Sequence, residues 1–324
     1  MTPELTRRLL LQMKRIRAVE ETIAERYSEF EMRCPTHLST GQEAVAAAVG
    51  EALRRTDLAV SGHRAHAHYL AKGGSLPAMI AEIYGRVTGC ARGQGGSMHL
   101  VDRDAGFMGS TAIVAGTVPV GVGLAYASMV RRADQVTCVF MGDAVAETGV
   151  FFESVSFAVL KQLPVLFICE NNLYSVYSPL GARQPAGRSI HEMVGAMGLP
   201  AVHGDGNDAR EVYSTVSGAI EAIRSGSGPR FFEFATYRWR EHCGPSYDND
   251  LGYRSEAEFA EWKARDPIAR LERELLVAGT MTRADLDAMQ VEIRREVSEA
   301  FVFARRSPFP DADTLVGEYA AATT

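Results

Sequence analysis

An acid and an amide at matched positions carry the clearest chemical signal in this chain. Val136–Met141 is a β-branched and aromatic run of strand length, ended by Gly142-Asp143-Ala144. Phe151, Val155, Ala158, Val159 and Leu163 then recur at close to helical spacing. Pro164 restarts the chain, and Val165–Cys169 is a second apolar run, closed by Asn171-Asn172. Strand, helix and strand make a βαβ unit, and open α/β sheets bind ligands beyond the carboxyl ends of their strands. Asp143 would meet Asn171 and Asn172 there. One carboxylate and one carboxamide suit a hard cation that keeps waters and phosphate oxygens as its other ligands, which describes Mg²⁺. The plain alternative is an ordinary crossover with a Gly-Asp turn and an Asn-rich turn.

A second candidate is the segment Ser61–Tyr69, with Arg64 among His63, His66 and His68. No Cys or carboxylate cluster adjoins it, so a zinc site is not the expectation. Phosphate chemistry suits it better. Arg64 can hold phosphate oxygens bidentately, and His66 can give or take a proton near neutral pH.

These residues need a scaffold, and the rest of the chain supplies one. The 324 residues can bury a large core in one or two domains, and 46% apolar with 23% charged residues is ordinary for a globular protein. A net charge of −6, with no basic run, argues against nucleic acid. Five cysteines without C-x-x-C spacing argue against structural zinc and a disulfide framework, and a reducing cytosol is the expectation. Leu9-Leu10-Leu11 is too short and too charged in its surroundings for a signal peptide, and no run approaches a membrane span.

Thr2-Pro3-Glu4 starts a helix, and Leu5, Leu9, Met13, Ile16 and Ile23 stripe it to about Phe30, either as a packing face or as an arm onto a partner. Helices are expected at 43–53, 76–84, 190–197 and 209–225, and strands at 57–61, 201–205 and 230–237. Gly85–Gly109 reads as a glycine-rich irregular loop, and Ser178–Ser189 as a polar loop with Arg183 and Arg188. The small residues Gly116, Gly121 and Gly123 within 110–130 allow close backbone approach, either inside one domain or at a subunit interface. Strand–helix alternation gives a doubly wound, mostly parallel α/β sheet. Residues 1–35 are expected as a helical arm, 36–250 as the α/β domain, and 251–324 as a helical tail packed on it, broken at Asp266-Pro267.

Gly142-Asp143, then twenty-six residues between Ala144 and Asn171, then the double Asn, resembles the thiamine-diphosphate signature. The run around Arg64 and His66 is similar to the alpha subunit of the decarboxylating component of 2-oxo acid dehydrogenases, of pyruvate, branched-chain or acetoin type. Gly41-Gln42-Glu43-Ala44, Arg92–His99, Ile113–Pro119, Asp205–Asp208, Thr236-Tyr237-Arg238 and Asp266-Pro267-Ile268 match that family's landmarks in order, over roughly residues 5 to 320.

The resemblance implies a thiamine-diphosphate-binding fold and a cofactor of thiamine diphosphate with Mg²⁺. Asp143 and Asn172 would bind the metal through side chains and Tyr174 through its carbonyl. Arg64 would contact the diphosphate, with His63 and Gly116 also at the cofactor. Ala144 and Val145 would offer backbone N–H groups, Val118 would meet the aminopyrimidine, and His66 and His242 would line the reacting centre as catalytic groups. It further implies a beta subunit that supplies an activating Glu, an α₂β₂ assembly, a 2-oxo acid substrate and a lipoyl-bearing acyltransferase as acyl acceptor.

Three departures stand out. Ala144 replaces the motif glycine, His63 the usual aromatic, and Cys243 the serine that some members phosphorylate. The first two keep open an enzyme that passes its acyl unit to a sugar ketone or aldehyde. Ala144 also keeps open a non-catalytic relative without cofactor, although a methyl at a turn needing positive φ costs only about 1 kcal/mol.

Overall fold

The computed structural model describes residues 1–32 and 34–311. The first helix, α1 (Pro3–Arg26), begins where the Thr2 hydroxyl accepts the Leu5 N–H and Pro3 takes a first-turn position. Then come α2 (Glu43–Ala52), β1 (Leu58–Ser61), α3 (His66–Ala71), α4 (Leu76–Ile83) and β2 (Phe107–Ser110). The middle of the chain holds α5 (Thr117–Val130), β3 (Thr137–Gly142), α6 (Gly149–Lys161) and β4 (Val165–Asn171). A small hairpin, β5 (Tyr174–Ser175) and β6 (Ser178–Pro179), leads into α7 (Leu180–Arg183) and α8 (Ile190–Ala196). The alternation resumes with β7 (Ala201–Asp205), α9 (Ala209–Arg224) and β8 (Arg230–Ala235). The helices α10 (Glu256–Ala264), α11 (Pro267–Val277) and α12 (Arg283–Arg306) follow.

Six strands form one parallel sheet in the order β2-β1-β3-β4-β8-β7. Its strands read as continuous apolar runs because both faces are covered. Side chains alternate across the pleat. Cys138, Phe140, Leu166, Ile168, Phe232 and Phe234 join one core with α1, α2, α4, α9 and α12, while Val139, Met141, Val165, Phe167, Cys169 and Phe231 join the other with α5, α6 and α8. The doubly wound α/β expectation therefore holds.

The winding reverses around β1. From β1 the chain crosses outward to β2, then returns past β1 to β3. The ends of β1 and β3 thus diverge toward different connections, which is the switch point where such sheets bind ligands.

Of the two possibilities for the α1 stripe, packing is the one realised: Leu9, Leu10, Met13, Ile16, Val19 and Ile23 are fully buried, and α1 lies against α2, α11 and α12. On α5 the small residues divide. A Cβ on Gly121 would come within 2.4 Å of Val139 Cγ2, so this glycine brings helix and sheet together. Gly123 faces open space beside exposed Val120 and Val130. Asp266 caps α11 by accepting the Ile268 N–H, which explains the break at Asp266-Pro267. Residues 312–324 of the expected tail lie outside the described residues. No helix among the described residues is long and apolar enough to cross a membrane.

Two loops hold more structure than expected. β2 forms inside Gly85–Gly109 as a four-residue edge strand, too short for a periodic signal. The segment 178–189 contains β6 and α7. The glycine-rich stretch is organised by one buried carboxylate. Glu82 accepts N–H groups from Ala91 (2.8 Å), Gly93 (2.9 Å), Gly95 (2.6 Å) and Gly96 (3.1 Å). Replacing it would strand several buried donors, each costly without a partner. Glu82→Ala is expected to destabilise by about 3 kcal/mol. Amide exchange should rise across residues 91–97 before the sheet opens, and protection equal to wild type there would refute the role.

Candidate functional site

A cavity opens at the switch point, beyond the carboxyl ends of β1, β3 and β4. The segment after β1 brings His63 and Arg64 to it, and the first turn of α5 brings Val118. The turn after β3 brings Asp143, Ala144 and Val145. The segment after β4 brings Asn172 and Tyr174, and the loop after β8 brings His242.

Asp143 follows directly from β3, whose Gly142 pairs in register with Glu170 of β4. The carboxyl is buried, and desolvation raises it above the ordinary aspartate range, against the opposing pull of Arg183. Arg183 of α7 pairs with both Asp143 and Glu147. The double Asn splits its work according to the strand's period of two. Asn171, the last residue of β4, donates to Glu233 at 2.7 Å and accepts the Leu173 N–H. Asn172 lines the cavity, donates to Gln42 Oε1 at 3.3 Å and accepts the Tyr174 N–H at 3.3 Å.

Backbone strain collects here. Ala115 (φ 64°), Leu173 (φ 72°) and Val176 (φ 54°) occupy left-handed conformations, unusual for residues with a Cβ and most of all for valine. Ala144 does not. It lies in the 3-10 turn Asp143–Glu147 at negative φ, so its methyl costs nothing in backbone conformation. The expectation that this position needs a positive φ is therefore corrected.

The opposite wall is basic and aromatic. His37, His63 and His242 meet edge to face, with ring centroids 4.6, 5.0 and 5.3 Å apart. Burial, with the Arg64 charge close by, holds these imidazoles down at about 2, 4 and 3, so all three are neutral at pH 7. Arg64 donates to the carbonyls of Leu38 (2.5 Å) and His242 (3.1 Å). His68 stacks on Phe140 at 4.0 Å and joins Ser61 (2.8 Å) to Glu170 (3.1 Å).

The model of the dehydrogenase E1 component matches residues 11–313. The chain belongs to that family. It is 37% identical over 306 residues to the chloroplastic pyruvate dehydrogenase E1 component subunit alpha-3 of Arabidopsis thaliana, covering 93% of this chain and 71% of the relative. Against the pyruvate dehydrogenase E1 component subunit alpha of Rickettsia felis it is 35% identical over 303 residues, covering 94% and 92%. It is thus an enzyme subunit, the alpha-type E1 component of a 2-oxo acid dehydrogenase.

Two residues expected at the site of this E1 chain lie elsewhere. His66, read as catalytic, is fully buried and does not line the cavity. As the first residue of α3 it turns inward, with Nε2 at 2.7 Å from Ser97 Oγ and Nδ1 at 3.3 Å from Glu20. Gly116 also stays off the cavity wall. It is the N-cap of α5, its N–H donates to the Ile113 carbonyl, and its neighbours Ala115 and Thr117 line the cavity instead. Sequence reasoning missed His37, Gln42 as a cavity residue, and the His68–Glu170 pair. Gln42 carried a signal in the Gly-Gln-Glu-Ala motif. His37 had none, since only the fold brings its loop beside His242.

The Ala144 geometry has a direct check. Ala144→Gly is expected to lower stability by about 0.5–1 kcal/mol in urea unfolding, as glycine does in helical backbone, and a gain in stability would show that the turn is strained. The neutral histidines set a pH dependence. Their folded values lie below the unfolded value near 6.5, so the unfolded chain binds more protons as pH falls. Their share of stability is present above about pH 6.5 and is lost on acidification. The drop in melting temperature from pH 7 to pH 5 should be smaller in His63→Gln than in wild type; equal drops would contradict the burial of a neutral His63.

Proposed function

We propose that this chain binds thiamine diphosphate with Mg²⁺ and, with a beta subunit, decarboxylates a 2-oxo acid and passes the acyl group to a lipoyl domain. The observation that carries the reading is the meeting of Asp143 and Asn172 in one cavity at the switch point. The residues present fit a hard cation. The Asp143 carboxyl is desolvated and already attracts a positive group, and the Asn172 side-chain oxygen and the Tyr174 backbone add neutral oxygens on the same wall. Asp143, Asn172 and the Tyr174 carbonyl would hold the metal. The same carboxylate serves one cation at a time, so Arg183 is the group that must give way.

Arg64 has N–H groups beyond the two that reach Leu38 and His242, and these suit phosphate oxygens. Ala144 and Val145 open a helical turn whose first N–H groups favour an anion. Val118 gives an apolar contact for the pyrimidine ring. Thiamine diphosphate, when bound, supplies the nucleophilic carbon and the electron sink for loss of carbon dioxide. The chain's part is to orient the substrate and exclude water. Neutral His242, with His37 packed edge to face against it, can donate an N–H to the substrate's carbonyl oxygen as negative charge builds on it, or accept a proton there.

α5 and the turn before it expose Ile113, Val114, Val120 and Val130, of which Val114 lines the cavity, and this surface is suited to the beta subunit in an α₂β₂ assembly. The relatives' names favour pyruvate over longer 2-oxo acids. With Ala144 unstrained, the motive for a cofactor-free relative falls away.

Calorimetry of the purified alpha/beta pair with thiamine diphosphate and Mg²⁺ is expected to give saturable binding, weakened at least about a hundredfold in Asp143→Ala, whose carboxylate contributes the charged ligand. Absence of saturable heat in the wild-type pair would sink the cofactor reading. Dye-coupled turnover of pyruvate, branched 2-oxo acids and acetoin then separates the substrates, and turnover confined to a sugar or aldehyde acceptor would overturn the lipoyl route.

A further inference from the structure

The histidines beside the cavity also form a second ligand set, of nitrogens, separate from the oxygen ligands proposed for Mg²⁺. One ring nitrogen each of His37, His63 and His242 can be chosen so that all lie within 4.8 Å of one another. The three come from separate segments: the loop before α2, the turn after β1 and the loop after β8. His37 is 7% exposed, and its Nδ1 has no hydrogen-bond partner although it is buried. An orphaned imidazole nitrogen inside a site is costly and calls for a ligand.

We propose that His37, His63 and His242 form a three-nitrogen site for a zinc-class divalent cation, distinct from the oxygen site at Asp143. Imidazole is the preferred neutral ligand for zinc, copper and nickel, whereas Mg²⁺ prefers oxygen. Three histidines with one open position is an established catalytic-type zinc arrangement. Zn–N bonds of 2.0–2.1 Å put the ligating nitrogens about 3.3 Å apart at tetrahedral angles, so the rings need to close by no more than about 1.5 Å from the 4.8 Å bound. Ring rotation supplies part of that, since the rings touch only edge to face. The neighbouring charges are Arg64, already turned to two carbonyl oxygens, and Arg238, paired with Asp248. His63 and His242 also line the cavity, so water or a substrate carboxylate there can complete the shell. A cation there blocks the wall that faces the substrate, so zinc acts as an inhibitor of this subunit.

The test uses the full chain, stripped with chelator and titrated with Co²⁺ or Zn²⁺ alone. Four-coordinate Co²⁺ absorbs strongly in the visible, and six-coordinate oxygen-bound Co²⁺ only weakly. One equivalent with the four-coordinate spectrum is expected in wild type and in Asp143→Ala, with Zn²⁺ displacing Co²⁺. His37→Gln and His63→Gln should each weaken binding at least about tenfold, as loss of a metal's support does, while His203→Gln should not change it. A wild-type spectrum without four-coordinate Co²⁺ overturns the proposal, whatever the variants do. So does a spectrum that survives both His37→Gln and His63→Gln, or one lost in Asp143→Ala. Binding of thiamine diphosphate with Mg²⁺, measured separately on the alpha/beta pair, stands or falls independently of these results.

Discussion

The site depends on one half-buried, desolvated guanidinium. Arg64 reaches the carbonyls of Leu38 and His242, two loops about two hundred residues apart in the chain. Desolvation pulls it down to about 10, which still leaves it charged at neutral pH. A desolvated charge without partners is unfavourable, which favours keeping the carbonyls where Arg64 can use them. Backbone bonds run alongside, from Trp239 N–H to the Thr40 carbonyl at 2.9 Å and from Gly244 N–H to the Thr36 carbonyl at 2.8 Å. Together they fix the distance between His37 and His242, and the charge that orders the loops also keeps those imidazoles neutral.

The loop with His242 needs a second anchor on its far side. Arg238 and Arg254 share the buried carboxylate of Asp248. Arg238 also donates to the carbonyls of Arg240 and Val176, and Arg254 to those of Arg238 and Trp239. Two cations against one carboxylate would repel in isolation, and the four carbonyl dipoles make the arrangement tenable. Because Val176 belongs to the hairpin after β4, this network couples the histidine wall to the segment that carries Asn172 and Tyr174. The walls of the cavity are therefore set by one connected polar lattice between rigid strand ends.

How far this was legible in the sequence follows from the range of each signal. The βαβ unit around Asp143 and Asn172 is local, with a Gly-Asp turn, apolar periods and a proline restart inside forty residues, and the strands form where those signals place them. Asp143, Asn172 and Arg64 reach the cavity because each sits within a few residues of a strand end. His66 fails for the same kind of reason. It is two residues from Arg64, but α3 begins there, and helical backbone turns it toward Glu20 and Ser97. His37 and the pairing of His68 with Glu170 depend on contacts between segments far apart in the chain, which no periodicity records. β2 is short and at the sheet edge, where tertiary pairing outweighs local preference.

Ala144 shows why a motif position has to be judged by its backbone. Glycine matters in a turn when φ is positive or when a Cβ would collide, and neither holds for a residue at negative φ in a 3-10 turn. Backbone strain sits instead at Ala115, Leu173 and Val176, in two other segments. Each left-handed residue with a Cβ carries on the order of 1 kcal/mol or more. They persist because the surroundings over-determine them. The Leu173 N–H is held by the Asn171 side chain and the next one, of Tyr174, by the Asn172 side chain. The Val176 carbonyl is held by Arg238. The departure at Ala144 therefore leaves the cradle intact, and the sharper constraint falls on Leu173: its left-handed backbone is what lets Asn172 and Tyr174 face the same cavity.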